Sequence, residues 1–291
     1  MKEYSKTLLL GARNDLTVAE KILADSPNLA AFHAQQCAEK ALKSLVFEFG
    51  DYKNEDEFGI EIGHDSIRAV TSSLRNILNL IHNKMDSEVK KKLNRKFLDK
   101  YMLLITPIRE EMSNLLTIPP IEKVSGRYWD ESLDPKLQPK PVISKNWSAK
   151  SDSHRQLLDA KWKDVMSRAG INIPEVVNLL DPGQNLLEKL KDLDLIINKL
   201  RSIGQHKLAD GFVKFKSLIG PDLELAHLLE LAIKWSPYLD AHAVRGRYPG
   251  SEDLKKYQNS LPAVENLVKK SREILKLTEK VMNILQEWFK D

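Results

Sequence analysis

Two arginine–histidine pairs have a spacing that could support chemistry on a phosphate group. Six residues separate Arg75 from His82, and four separate Arg201 from His206. Positions seven apart share one face of a helix, so Arg75 and His82 would point the same way. An arginine can hold a phosphate by two parallel hydrogen bonds, and a histidine can exchange a proton near neutral pH. Arg75 and His82 are therefore candidate catalytic residues.

The same spacing also has an ordinary explanation. The chain has 12 arginines and 7 histidines, and a chain of this composition contains about one such spacing by chance. The alternative interpretation is a surface arginine with a histidine at a helix end.

A polar stripe follows one side of an otherwise apolar segment. It consists of Gln35, Gln36, Glu39, Lys40 and Lys43. These side chains could contact a nucleotide or the turn around Arg247. Glu39 and Lys43 are also spaced as an i,i+4 ion pair, so the stripe could instead satisfy buried polar groups or form a dimer face. The sequence leaves both interpretations open.

Two further candidate sites lie outside this stripe. Asp65 is expected to begin a helix, near the positive end of the helix dipole, and His64 beside it could contact a ligand. Arg245, Arg247 and Tyr248 are expected on a loop, where binding residues concentrate. That loop could bind an anion and stack a base on Tyr248, or Arg247 could anchor the turn to a helix end.

Metal and cofactor chemistry find no support in the sequence. The single cysteine, Cys37, excludes an intrachain disulfide and a cysteine zinc cluster, and is expected to be a small core residue. The seven histidines include no H-x3-H pair, and no glycine-rich phosphate loop is present. We therefore expect neither a metal nor a cofactor.

The composition indicates a soluble helical protein. Hydrophobic residues make up 42% of the chain and charged residues 30%. The net charge of +4 is mixed along the chain, which permits a nucleic-acid partner without requiring one. No apolar run approaches the roughly 18 to 20 residues that span a bilayer. We expect a cytoplasmic protein without membrane contact.

Helical periodicity supplies the elements that would position these residues. Apolar side chains at three-and-four spacing predict helices over residues 4–23, 29–49, 65–81, 87–116, 222–235 and 261–288. Residues 51–63 are expected to form a loop, and residues 118–152, with five prolines, a linker. In that linker, Tyr128, Trp129 and Trp147 could stack on single-stranded RNA or pack against the helices.

Two segments resemble the HEPN domain family. The first is AFHAQQCAEKALK at residues 31–43, followed by Gly63-His64-Asp65, which is similar to the second helix and the start of the third. The second is Arg247-Tyr248-Pro249-Gly250 before a long last helix, which is similar to the family's Arg-Tyr-Pro turn. The resemblance implies an all-α fold, an up-down helical bundle of four to five helices.

The distance between the two segments departs from the family. The Arg-Tyr-Pro turn usually comes one helix after the third, whereas here about 135 residues intervene. We therefore predict a split domain, with residues 1–84 and 221–291 as its halves and residues 85–220 as a helical insertion. Neither half can bury both faces of its helices alone, but together they form a stable bundle.

The resemblance implies three alternative functions. The first is a non-catalytic nucleotide- or RNA-binding or protein-interaction module, a homodimer, paired with a nucleotidyltransferase. Its expected contact residues are Gln36, Glu39, Lys40, Lys43, His64, Arg247 and Tyr248. The second is a metal-independent ribonuclease of the toxin or defence type, with an Arg-x4-6-His motif supplied by Arg75 and His82. That pair lies earlier than the family places it, and the Arg-Tyr-Pro subgroup often lacks the motif. The third is a structural helical scaffold.

Overall fold

The computed structural model describes residues 1–62, 67–92, 106, 109, 112, 126–137, 139 and 186–289. Within these ranges the chain is all-α and contains no strand, as predicted. The described helices are α1 (Glu3–Ile22), α2 (Pro27–Phe49), α3 (Glu55–Ile62), α4 (Ile67–Lys92), α5 (Gly126–Ser132), α6 (Leu186–Ser202), α7 (His206–Asp240), α8 (His242–Arg245), α9 (Ser251–Asn259) and α10 (Leu261–Trp288). None of the described helices is long and apolar enough to cross a membrane.

Three of the predicted helices match closely, namely α1, α2 and α10. Proline stands in the first turn of both α2 and α10, where its missing N–H removes no helical hydrogen bond. Gly50 follows α2, and its backbone N–H donates to the carbonyl oxygen of Val46 at 2.8 Å. These termini follow from local chemistry, which is why the sequence predicted them.

The segment expected to be a loop at residues 51–63 contains a helix instead, α3. Phe58 and Ile62 lie one turn apart in α3 and are almost fully buried. The ring of Phe58 packs edge-on against Phe47 at 5.2 Å and Tyr52 at 5.0 Å between centroids. Burial of these two side chains outweighs the polar composition of the segment.

Two predicted helix boundaries are also wrong. A break was expected near residues 82–86, but α4 continues to Lys92, because Ile81, Met85 and Val89 extend one buried row at i,i+4 spacing. A second break was expected at Gly220-Pro221, but α7 runs through it. The residues that follow Pro221 are nearly all buried, and their packing outweighs the roughly 3 kcal/mol that an interior proline costs.

The segment expected to be a linker contains the short helix α5. Trp129 and Leu133 are buried, and the Trp129 ring lies 4.9 Å from the ring of Tyr257 in α9. Of the two interpretations of Trp129, packing against the helices is therefore the one observed. Trp147 and the rest of residues 140–152 lie outside the described residues.

The chain divides into two compact units. Unit 1 comprises residues 1–88, 113–142 and 228–291, and unit 2 comprises residues 89–112 and 143–227. Unit 2 contains a buried ion pair, in which the Arg109 Nε donates to Asp222 Oδ1 at 2.8 Å. The chain passes from one unit to the other inside α4 and inside α7. The division into two bundle halves and an insertion at residues 85–220 remains a prediction.

Helix α2 is the central element of unit 1, and its most extensive contacts are with α1 and α10. Its inward faces are made of small side chains, which allow neighbouring helices to approach closely. These fully buried residues are Ala30, Ala31, Ala34, Cys37, Ala38 and Ala41. Ala34 marks a point where three helices meet, because it packs with Ala19 of α1 and Val268 of α10.

We predict that Ala34→Leu destabilises the protein by about 1 to 3 kcal/mol. The larger side chain would have to displace Ala19 and Val268, and overpacking of a closely packed core is unfavourable. The measurement is the shift in the urea midpoint of helical circular dichroism. The control is Leu10→Ala, which removes an exposed side chain of α1 and should change stability by less than about 0.5 kcal/mol. A midpoint unchanged in Ala34→Leu would contradict the close packing described here.

Candidate functional site

The turn at residues 245–250 has a defined backbone. The N–H of Gly246 donates to the carbonyl oxygen of His242 at 3.0 Å, and the N–H of Tyr248 donates to that of Val244 at 2.9 Å. At the far end, the N–H of Gly250 donates to Asp253 Oδ2 at 3.2 Å as α9 begins. Hydrogen bonds at both ends therefore fix the path of the chain between α8 and α9.

Gly246 anchors this turn to the start of α2. A Cβ atom at Gly246 would lie 2.8 Å from the carbonyl oxygen of Asn28 and 2.9 Å from the Cβ of Phe32. The Asn28 Nδ2 also donates to the carbonyl oxygen of Gly246 at 3.0 Å, in a buried position. Glycine is required here because any side chain would push the turn away from α2. Gly246 and Asn28 thus hold the turn against the start of α2, whereas the sequence had suggested Arg247 for this role.

Arg247 and Tyr248 project from this anchored turn. The Arg247 guanidinium lies 5.8 Å from the ring centre of Phe32 and 5.2 Å from that of Tyr248. Tyr248 is 69% exposed, and Arg245 and Arg247 are both exposed. Within the described part of the chain, neither arginine forms a salt bridge with a carboxylate. The turn therefore presents two positive charges and an aromatic face to solvent.

A buried aromatic cluster lies behind Arg245. The Arg245 guanidinium lies 5.0 Å from the ring centre of Trp129, and the Trp129 ring packs against His242 and Tyr257 at 5.2 and 4.9 Å. The Tyr257 hydroxyl and His242 Nδ1 share a hydrogen bond of 2.8 Å. Burial, together with the nearby positive charge of Arg245, lowers the pKa of His242 to about 3. His242 is therefore neutral near neutral pH.

The polar stripe of α2 forms an interior network. The Lys43 Nζ donates to Glu39 Oε1 at 2.6 Å, which confirms the ion pair expected from i,i+4 spacing. The Gln35 Nε2 donates to Glu39 Oε2 at 2.7 Å and reaches Asp240 Oδ1 of α7 at 3.5 Å. The Gln36 Nε2 donates to Gln35 Oε1 at 2.7 Å. Lys43 is almost fully buried, so the network satisfies polar groups that would otherwise be desolvated without partners.

Lys40 belongs to a different group, between α1 and α2. Its Nζ donates to Asp15 Oδ2 at 2.6 Å, and the other carboxylate oxygen lies 2.9 Å from His33 Nδ1. Gly11 leaves room for this arrangement, because a Cβ there would lie 3.3 Å from the Lys40 Cδ. The carboxylate of Asp15 therefore ties one helix to the other and holds the His33 ring in one orientation.

The proposed catalytic pair is described only in part. Arg75 and His82 both lie in α4, and His82 is half-buried. The side chain of Arg75 lies outside the described residues, and so do His64 and Asp65. Cys37 is buried, which raises the pKa of its thiol to about 12, so it is not a nucleophile. In the described ranges, no group of three or more histidine, cysteine, aspartate or glutamate side chains is placed to hold a metal ion.

Several residues of these groups had no sequence signal. Asp15, Asp240 and His242 reach their partners through contacts with residues well separated from them in the chain. Helical spacing relates residues three or four apart, so it cannot reveal such pairs. Tyr257 carried one weak signal, an aromatic side chain in an otherwise polar helix, which is typical of a side chain that is buried.

We predict that His242 makes the protein less stable in acid. Its pKa in the folded protein is about 3, below the ordinary value of 6.5. Between these two pH values the unfolded chain takes up the proton and the folded protein does not. Between about pH 7 and pH 5 this should remove roughly 2 kcal/mol of stability. His242→Gln, which can still hydrogen-bond to Tyr257, should lose less over the same interval in urea unfolding. His206→Gln, at an exposed position, is the control; equal pH profiles for His242→Gln and wild type would contradict the assignment.

One comparison with known proteins gives a match. The family model described as HEPN domain matches residues 5–57, which contain most of α1, all of α2 and the start of α3. No curated protein matches the chain. No solved structure matches it either. The match includes the polar stripe and the residues that anchor the turn, Asn28 and Phe32. Residues 5–57 therefore match the HEPN domain, which belongs to a family related to nucleotides and RNA.

Proposed function

We propose that this protein is a non-catalytic binding module for single-stranded RNA, and that the turn at residues 245–250 is its contact surface. The nucleotide-related HEPN family supports the ligand class. The homodimer and the nucleotidyltransferase partner that the resemblance implies remain part of the prediction. Recognition at the turn requires neither a metal nor a cofactor.

The observation that carries the proposal is a pair of exposed arginines beside an exposed tyrosine on an anchored backbone. The other exposed arginines with described side chains form salt bridges, Arg13 with Glu279 and Arg201 with Asp210. Arg245 and Arg247 instead lie over aromatic rings, which orient each guanidinium but do not neutralise its charge. Their N–H groups are available to a phosphate.

Stacking on Tyr248 supports RNA rather than an acidic protein surface as the ligand. One face of the Tyr248 ring is covered by Arg247, and the side chain is still 69% exposed. An unpaired base can stack on such a ring, while the neighbouring arginines contact the backbone phosphates. This combination of aromatic rings and positive charge is typical of proteins that bind single strands with little sequence preference.

The composition of the turn supports binding without catalysis. Residues 243–250 include no histidine, cysteine, aspartate or glutamate. The nearest histidine, His242, is buried with a pKa of about 3 and cannot act as a general base near neutral pH. The turn can therefore hold a phosphate but has no group that would accept the proton of a ribose hydroxyl.

We predict that Tyr248→Ala weakens RNA binding about tenfold through loss of base stacking. The measurement is fluorescence anisotropy of a short labelled single-stranded RNA at low salt. Val244→Ala is a matched control, because Val244 lies in the same segment, is also 69% exposed and has no ring. Arg247→Ala should weaken binding as well. It should also reduce the slope of log affinity against log salt by about one, the value expected for loss of one phosphate contact.

The arginine variant has its own control. Arg272→Ala removes a partly exposed arginine that is neutralised by Glu20, so it should bind RNA as the wild type does. If Arg272→Ala and Arg247→Ala lose affinity equally, binding depends only on overall charge and the turn is not the site. Binding of an acidic peptide but not of RNA would favour a protein-interaction module instead.

We also predict that RNA incubated with the protein in EDTA stays intact. The ribonuclease alternative expects cleavage that is lost in His82→Ala and kept in His206→Ala. The measurement is denaturing gel electrophoresis of a mixed RNA pool after incubation with each protein. Cleavage by the wild type and by His206→Ala, but not by His82→Ala, would overturn the non-catalytic proposal.

A further inference from the structure

Trp129 connects the contact surface to a part of the chain that is remote from it in sequence. It lies in α5, within residues 85–220 that separate the two predicted halves of the bundle. Residues 113–142 nevertheless belong to unit 1, together with the turn at residues 245–250. The contacts of α5 can therefore affect the structure of the turn.

Three contacts besides the Trp129 ring fasten α5 in place. The Lys256 Nζ of α9 donates to Asp130 Oδ1 at 2.9 Å. The Tyr238 hydroxyl of α7 donates to Glu131 Oε2 at 3.4 Å, and the Tyr238 ring packs edge-on against Tyr128 at 5.4 Å. Helix α5 thus contacts the elements on both sides of the turn, since α7 precedes it and α9 follows it.

The Trp129 side chain supplies the surface on which Arg245 lies. Its ring is almost fully buried and packs against His242 and Tyr257, whereas Arg245, which lies over the same ring, is exposed. The guanidinium lies 5.0 Å from the ring centre. In the described part of the chain no carboxylate holds Arg245, so the Trp129 ring is the group that orients it.

We propose that Trp129 is a positioning residue for Arg245, so that the RNA-contacting turn requires α5 as well as the matched HEPN segment. This rests on the proposed function of the turn. Arg247 is oriented by Phe32 of α2 and Arg245 by Trp129 of α5, so each positive charge is placed by a different part of the chain. The intervening segment thus contributes directly to the ligand site through α5.

The test is a double-mutant cycle on RNA affinity. Trp129→Met removes the ring but keeps a large apolar side chain, and Arg245→Ala removes the charge. Each variant should weaken binding by about three- to tenfold. The two variants should also lower the slope of log affinity against log salt, measured from about 50 to 200 mM salt, to a similar extent. The double variant should be no weaker than Arg245→Ala alone, because Trp129 acts through Arg245.

Two further variants separate positioning from general loss of packing. Leu133→Ala removes a buried side chain just after α5 and should leave RNA affinity unchanged in the folded protein. Trp129→Phe keeps a ring face and should retain affinity within about twofold. If Trp129→Met does not fold, the cycle is run with Trp129→Leu, which also removes the ring and predicts the same non-additive loss.

The outcomes are distinguishable from those for the proposed function. Additive losses from Trp129→Met and Arg245→Ala, or an equal loss from Leu133→Ala, would overturn the positioning role and leave the RNA-binding turn in place. Wild-type protein that does not bind RNA at low salt would contradict the proposed function and this inference with it. If Trp129→Met lost affinity without a change in the slope of log affinity against log salt, the result would also count against positioning of a charge.

Discussion

The small-residue faces of α2 are the constraint on which unit 1 depends. The side chains of alanines such as Ala34 and Ala38 are too small to hold α1 and α10 at a distance. The three helices therefore pack closely against one another. Close packing has a second effect, because it leaves the longer polar side chains of α2 partly enclosed. Those side chains then need partners inside the protein, and the network of Gln35, Glu39 and Lys43 provides them.

The position of the turn at residues 245–250 follows from the same close approach. Gly246 lies against the first turn of α2, where even a methyl group would meet the carbonyl oxygen of Asn28. With its backbone held in this way, the turn can expose Arg247 and Tyr248 without losing its shape. A ligand that binds there meets side chains that are already oriented, which reduces the conformational entropy lost on binding.

The two arginines of the turn show how a positive charge can be placed without being neutralised. A carboxylate partner would hold a guanidinium firmly but would compete with phosphate for it. An aromatic face holds it more weakly and leaves its N–H groups free to donate to a ligand. Phe32 and Trp129 fill this role from segments about 100 residues apart in the sequence, which makes the contact surface a product of tertiary packing.

The sequence alone determined the elements whose causes are local. Apolar spacing predicted α1, α2 and α10; the i,i+4 spacing of Glu39 and Lys43 predicted their ion pair; and the resemblance at residues 31–43 predicted the HEPN domain. Tertiary structure decided the rest. Helix α3 and the passage of α7 through Pro221 depend on burial, which no local pattern reports. The partners of Asp15, His242 and Trp129 come from distant segments, because packing rather than spacing brings those side chains together.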